Sequence, residues 1–451
     1  MIEFEKRGVP TVMFTSAEFV RDAQRSGENF GLPQLAKVVV PEPFTNHSAD
    51  AVRKLVDAAI DQVVAGLIEP LRDRAQLVQD LVFLDEDWLD FSGPDQLSAL
   101  EQMQSQFLVY GWSDGFPLLP PTKRAMDRML SGTRRDPQEV VAVLEPGFGI
   151  ATVQKIAANA VMAGCLPEHL PVVIASIECL AEPQIYLRNK AMSTGPAAPL
   201  LVVNGPIRKK LNLNSACCAL GPGAPSAANT VIGRAVRLCM MNVGHTYPGI
   251  SDMDTVGTPL KYSMCVAENE EASPWTPFHV ERGYEASAST VTVHFVYGIC
   301  ELKTFQSHDP EELIEIFSSA AMNDAQVSTG YWLLGRRSDP RSGTSEQERH
   351  MMLICPEHAE IFRSAGWQKA DIRKAMHRRS RLPFKRLMLT KEREAMALSH
   401  PELHWLWDSP DTLLPVLEDA DCYEIAVVGG TLGRGSFFWG SGAPVTKPIR
   451  E

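Results

Sequence analysis

The 451-residue chain has no C-x-x-C pair, no H-E-x-x-H or H-x-H signature, and no uninterrupted apolar run long enough to span a bilayer. The first absence argues against a zinc ribbon or a thioredoxin motif. The second argues against a compact zinc-hydrolase site. The start, MIEFEKRGVP, carries no apolar signal core, so nothing directs export and a cytoplasmic location is expected. Positive charge is in short supply. With 43 Lys and Arg against 55 Asp and Glu the net charge is −12, which argues against nucleic acid or an anionic membrane as main partner. The nine cysteines are widely spread, none precedes Cys165, and the odd number suggests reduced thiols. Most are expected to be small buried hydrophobes. Repeats and low-complexity segments are not visible either.

What is present is an ordinary globular composition, 45% apolar and 22% charged, on a chain long enough for two or three cores. Gly8 to Phe14 is a β-rich run closed by Thr15-Ser16, with Ser16 as N-cap of a helix of about ten residues. Ala36 to Val40 predicts a second strand. Ala49 to Ile68 has apolar residues at helical spacing. Strand, helix, strand, helix is half of a doubly wound parallel sheet. The fold class is therefore α/β: a small N-terminal parallel-sheet unit over 1–70, a helical connector over 71–108, and a larger mixed α/β domain over 109–451. In the large domain, helices are expected over Ala151–Cys165, Glu168–Ala181 and Ala227–Asn242. Strands are expected over Pro199–Val203, Val291–Val296, Met351–Ile354 and Glu424–Val428.

The densest chemistry lies in Cys265 to Arg282, CVAENEEASPWTPFHVER. Pro274 and Pro277 prevent a continuous helix, and Glu268, Glu270, Glu271, Glu281, His279 and Arg282 surround Trp275. Such a loop fits a cleft where carboxylates and an imidazole meet a small molecule against an apolar wall. His279 is a candidate general acid/base, with Glu270 or Glu271 to orient it or hold a cation. Four carboxylates cannot all stay ionised in one small apolar cleft, so Glu270 or Glu271 is expected to be buried and partnered.

A second candidate is Cys217-Cys218-Ala-Leu-Gly-Pro-Gly223, which leads through Ser226 into a helix. Backbone N–H groups at a helix start favour an anion, and Asn229 and Arg234 stand in its first two turns. Asn204, Lys155, Asn159, Arg282 and Trp275 complete the candidate substrate-binding set. Lys155 and Asn159 share the polar face of a helix that a solvated surface also explains. Cys218 or Cys265 would be the nucleophile of a covalent reaction, since a thiol near a helix N-terminus ionises more easily; packing in the core is the alternative. No cofactor is required. A divalent metal held by His245, Asp252 and Asp254 is the alternative. At the C-terminus a Gly-rich loop follows Val428 without a helix, so it departs from a dinucleotide fingerprint. Phe437-Phe438-Trp439 suggests docking against another subunit.

Glu5-Lys-Arg-Gly-Val-Pro-Thr-Val12, Phe19 and Ala36-Lys-Val-Val-Val-Pro-Glu-Pro43 together resemble the UGSC-type family, and more distantly the selenoprotein subunits of glycine and proline reductases. Trp112–Pro117, Ile156–Cys165, Val203–Pro206, Ala267–Trp275 and Val280–Gly283 resemble the long domain often fused to it. In that family a selenocysteine or cysteine precedes the Lys-Arg-Gly-Val-Pro segment. The resemblance therefore implies that a partner chain supplies that group here, or that the N-terminal unit is structural. It implies an architecture and thiol chemistry but no substrate.

The expectation is an enzyme acting on a small polar or anionic molecule. The reaction would be lyase-like or a reductive cleavage of a carbon–heteroatom bond, with thiol and His/Glu participation. A metal-dependent hydrolase or lyase, or a non-catalytic subunit docking a thiol- or selenol-bearing partner, are the alternatives. A two-stranded unit leaves an edge and a face uncovered, so a homo-oligomer or a complex with a small second subunit is expected.

Overall fold

The computed structural model describes residues 1–41, 47–70, 88–304, 307–323, 331–334, 338–339, 344–345, 348–398, 400–431 and 433–450. The start of the connector expected over 71–108 lies outside the described residues.

The N-terminal unit is β1 (Met13–Ser16), α1 (Val20–Asn29), β2 (Lys37–Val40) and α2 (Ala49–Ile68). β1 and β2 pair in parallel, Met13 opposite Lys37. The first strand starts later than the β-rich run suggests, because Pro10 has no N–H for a ladder. Ser16 makes no side-chain cap, and a 3-10 turn over Ala17–Phe19 precedes α1. Ser48 does cap α2, accepting from the Ala51 N–H. The unit rests on the rest of the protein through its first helix. Asn29 donates to the Pro146 carbonyl at 3.1 Å, the Phe30 ring meets Phe148 edge-on, and the Arg188 guanidinium covers Phe30.

The larger part begins with α3 (Gln96–Val109), whose Met103 and Phe107 enter the core. Then follow α4 (Val153–Ala163) and α5 (Leu170–Leu180), and after them β3 (Ala198–Asn204), α6 (Ala227–Asn242), β4 (Cys265–Ala267) and β5 (Thr290–Lys303). The chain continues through α7 (Pro310–Ala321), β6 (His350–Ile354), α8 (Pro356–Ser364), α9 (Lys369–Arg379), β7 (Tyr423–Val427), β8 (Arg434–Gly440) and β9 (Val445–Pro448). Gly164 closes α4 in the left-handed conformation, as a helix-ending glycine should.

The main sheet runs β7-β6-β8-β5-β3-β4, with β9 beside β5. That order reads as a topological repeat. In each half a strand (β3 or β6) is followed by helix and a parallel neighbour (β4 or β7). The chain then returns antiparallel on the other side (β5 or β8). The two return strands pair with each other at the centre. The absence of sequence repeats therefore hides a duplicated topology. Burial, not identity, is what the halves share.

The sheet is curled. Alternate residues Leu200, Val202, Val266, Val296, Met351, Leu353, Ala426 and Phe438 meet in one cluster on the concave side. The opposite faces carry two separate helical layers, α4–α6 on one half and α7–α9 on the other. Phe437 and Phe438 are fully buried on the two faces of β8, and Trp439 bonds the Ala320 carbonyl. The aromatic triplet is thus internal, which overturns its reading as a subunit contact. Gly440 sits at a bulge where a Cβ would come within 2.4 Å of the His294 ring, so a larger residue could not pass there. Among the described residues no single helix is long and apolar enough to cross a membrane.

Candidate functional site

Strand ends bring the site together. β3 ends at Asn204, β4 runs into Glu268, and β5 starts at Thr290, opposite Asn204 in register. Asn204 Nδ2 donates to Glu268 Oε2 at 2.5 Å and to Glu270 Oε1 at 2.9 Å. The Gly205 N–H reaches Glu270 Oε1 at 2.7 Å, and the Phe278 N–H reaches Glu268 Oε2 at 2.7 Å. Gly205 adopts φ +82°, and a Cβ there would lie 2.0 Å from the Ala288 carbonyl oxygen. Only glycine lets the loop turn so close to its neighbour.

Arg208, which the sequence did not single out, is the hub. Its guanidinium donates to Glu270 Oε2 at 2.7 Å, to the Glu268 carbonyl at 2.7 Å and to both oxygens of Glu271 at 3.2 Å. The carboxylates divide by depth. Glu268 is fully buried, Glu270 is mostly buried, and Glu271 is half exposed, where it also meets Lys209. Burial pushes Glu268 above the usual carboxylate range, against the opposing pull of Lys369 at 3.8 Å. Hydrogen bonds from Arg208 and Lys209 hold Glu271 down to about 2. The buried carboxylate expected at Glu270 or Glu271 is accompanied by a deeper one, Glu268.

His279 lies on a short helix, Phe278–Glu281, and is fully buried. Its Nδ1 stands 3.9 Å from Glu270 Oε1, just beyond hydrogen-bond reach. Backbone groups of Ala286 and Glu285 approach the ring without meeting hydrogen-bond geometry. Burial holds the imidazole below its ordinary pKa, so it is neutral at pH 7. Asn204 Oδ1, Glu268 Oε1, Thr290 Oγ1 and both nitrogens of His279 are buried without a hydrogen-bond partner among the described residues. In native proteins such groups are few and call for an explanation.

The other candidates are placed as follows. Arg282 leaves this cluster for the concave side of the sheet, where it meets Glu424 at 2.7 Å over the Phe278 ring. Arg349 reaches the same carboxylate at 2.8 Å. Burial alone would raise Glu424, but the two guanidinium groups outweigh it and its pKa is lowered. Trp275 packs among the α7–α9 layer and donates to the Trp367 carbonyl. Asn229 spends its amide on the carbonyls of Asn214, Ala219 and Cys265, tying the Gly221 loop to β4. Arg234 forms a fork with Asp114 at 2.7 and 2.9 Å. Lys155 is exposed, whereas Asn159 is buried and accepts from Asn242. Ser226 makes no helix cap; its hydroxyl donates to the Cys218 carbonyl.

Cys265 is buried and its thiol is pushed up to about 12, which suits packing and not attack. Cys217 and Cys218 are both exposed, with sulfurs 3.8 Å apart. The hydrogen-bonded Cys217 thiol raises the pKa of Cys218, opposite to the lowering expected from a helix start. Cys218 lines a cavity of about 420 Å³ together with Gly221, Cys300, Gly429, Arg434 and Ser436. The Gly221 loop and the C-terminal Gly-rich segment therefore meet, although they lie far apart in sequence. A second cavity of about 580 Å³ is lined by Asp114, Arg237, Asp252, Asp254 and Lys261.

The metal alternative is not supported by geometry. Asp252 is paired with Arg237 and Lys261, and Asp254 with Lys261. His245 instead stacks on Tyr247, and burial, aided by nearby Arg25 and Lys155, lowers its pKa to about 4. Among the described residues no group of three or more His, Cys, Asp or Glu side chains is placed to hold a metal ion.

No curated protein and no solved structure matches the chain. The UGSC family matches over residues 1–69, the span of β1, α1, β2 and α2. The N-terminal unit of this chain is a UGSC-family segment.

Proposed function

We propose that the protein is an enzyme of lyase type. It would cleave a carbon–heteroatom bond in a small polar, anionic substrate at the Asn204–Glu268–His279 cluster. The observation that carries this is the convergence, at one end of the sheet, of buried polar atoms of Asn204, Glu268, His279 and Thr290 that have no hydrogen-bond partner among the described residues. Environments that push two titratable groups in opposite directions assign acid and base. Glu268, raised by burial, retains its proton more readily than an exposed carboxyl. His279, lowered by burial, is a free base. In an elimination the imidazole takes the proton from carbon. The electron pair forms the new double bond, the carbon–heteroatom bond breaks, and the leaving atom takes the proton of Glu268. Arg208 and Asn204 hold Glu270 beside the imidazole, and its charge favours the imidazolium as it forms. Glu268 and His279 are fully buried, so substrate access needs the exposed rim at Glu271 and Lys209 to move.

The test is turnover of a panel of small carboxylates bearing β-hydroxy, β-amino or β-thio groups, followed by NMR. The wild type should release an unsaturated product from at least one. His279→Gln and Glu268→Gln should each lose that turnover while keeping the wild-type circular dichroism spectrum. Wild-type rates in both variants would remove the proposal. A cytoplasmic location and assembly through the N-terminal unit belong to the same reading.

A further inference from the structure

We propose that Cys217 and Cys218 form a redox dithiol that exchanges with small-molecule disulfides at the mouth of the cavity that Cys218 borders. Among the nine cysteines these two are exposed, Cys300 is half-buried, and the other six are buried. Their sulfurs are 3.8 Å apart, and closing the eight-membered ring of adjacent cysteines to a bond of about 2.05 Å takes side-chain rotation together with a twist of the peptide between them. The turn that presents them is fixed from both sides. Asn214 Nδ2 donates to the Cys217 carbonyl at 2.9 Å, while Ser226 Oγ and the Gly221 N–H donate to the Cys218 carbonyl at 2.6 and 2.7 Å. Cys218 takes φ +58°, a left-handed conformation that a non-glycine residue adopts only when its surroundings hold it. Gly430 packs against Cys217, where an added Cβ would come within 3.2 Å of the cysteine Cβ. The dithiol therefore sits where the Gly221 loop and the C-terminal Gly-rich segment face each other. The shared cavity is large enough for a small thiol compound.

The chemistry balances without a further reactant. One thiolate of the pair attacks a sulfur of the small disulfide, forming a protein mixed disulfide and expelling one thiolate. The neighbouring cysteine attacks that mixed disulfide, closes a Cys217–Cys218 bond and expels the second thiolate. Two protons leave the protein thiols and end on the two expelled thiolates. The protein dithiol is oxidised by two electrons, and the small disulfide is reduced to two thiols. This proposal stands apart from the acid–base reading, because it uses none of that cluster and its readout is not turnover.

The experiment treats the full-length protein with glutathione disulfide, quenches with acid, and maps masses on the peptide holding both cysteines. In the wild type that peptide should lose two hydrogens, carry no glutathione, and regain them with a dithiol reductant. Cys217→Ser and Cys218→Ser should each stall as a stable glutathione adduct on the remaining sulfur. Both positions are exposed, so the serine variants should fold. An unchanged wild-type peptide, a persistent glutathione adduct in the wild type, or single variants that take up no glutathione would each overturn the proposal.

Discussion

The Asn269 N–H donates to the Val427 carbonyl at 2.7 Å, so the second residue after one edge strand is bonded to the end of the other edge strand. The curled sheet is thereby pinned across its seam. Beside that seam Lys369, at the start of α9, reaches back to Glu268, just after β4. It also donates to the Thr276 carbonyl and to Glu281, both at 2.9 Å. One buried ammonium thus connects the second helical layer to the loop of the candidate site.

Lys369→Met is expected to destabilise the protein by about 3–5 kcal/mol, the usual cost of removing one partner from a buried ionic group. Glu281 keeps Arg373, so the loss falls mainly on Glu268. Glu268→Gln should recover part of it in the double variant, because the amide stands in for the neutral carboxyl that Glu268 must become once Lys369 is gone. A denaturant series on the two single variants and the double variant measures this. An additive double variant would show that Lys369 and Glu268 are not coupled.

Glu424 is the counterpart on the concave side. Its carboxylate neutralises Arg282 and Arg349, and Glu424→Gln leaves two guanidinium groups sharing a largely buried space. A loss of about 3 kcal/mol follows. The folded pKa of Glu424 is depressed. Its contribution is therefore complete above the unfolded carboxyl pKa and lost as pH falls through the folded value. Below that value wild type and Glu424→Gln should converge in denaturant midpoint.

Three buried histidines give a second acid sensitivity with a different window. Burial lowers His294 and His358 to about 4 and His350 to about 3. Below pH 6.5 the unfolded chain takes up protons that the folded protein refuses, so stability falls from about pH 6.5 towards 4. A shift from 6.5 to about 4 corresponds to at most about 3 kcal/mol for each of His294 and His358. Urea midpoints between pH 7 and 4.5 should drop steadily, well before most carboxylates protonate. A flat profile across that range would show that these rings are not held neutral.

How much of this was legible beforehand depends on the kind of signal. α2 and α6 begin and end where their apolar spacing and flanking residues place them. The loop from Glu268 to Arg282 announces itself because charge, Trp and Pro rarely share a surface loop. Arg208 escaped notice because a basic run, Arg208-Lys209-Lys210, after a Gly-Pro turn looks like solvated surface. Only the pairing of Asn204 with Thr290 reveals that it points into the carboxylates. The duplicated topology was equally hidden, since β3 and β6 share burial and not residues. Trp275 looked like a wall for substrate because its loop is polar. Its ring in fact anchors the loop on a helical layer 92 residues away in sequence, at Trp367.

The last prediction concerns assembly. α2 turns Ile60, Val64, Leu67 and Ile68 to solvent, spaced as one stripe, with exposures of 49, 47, 40 and 76%. It covers a parallel sheet of only two strands, which is too small to be stable alone and leaves both strand edges unpaired within that sheet. Contiguous exposed apolar residues on a helix mark a contact surface. We propose that α2 is where the UGSC-family segment meets a second copy of the chain. Ile60→Glu with Val64→Glu removes the stripe without touching Ala59 or Gly66, the residues of α2 buried against the unit. Light scattering on the purified wild type should give a mass above that of one chain, and the double variant should fall to a single-chain mass with unchanged helical content. A wild-type protein that stays monomeric at micromolar concentration would overturn the assignment.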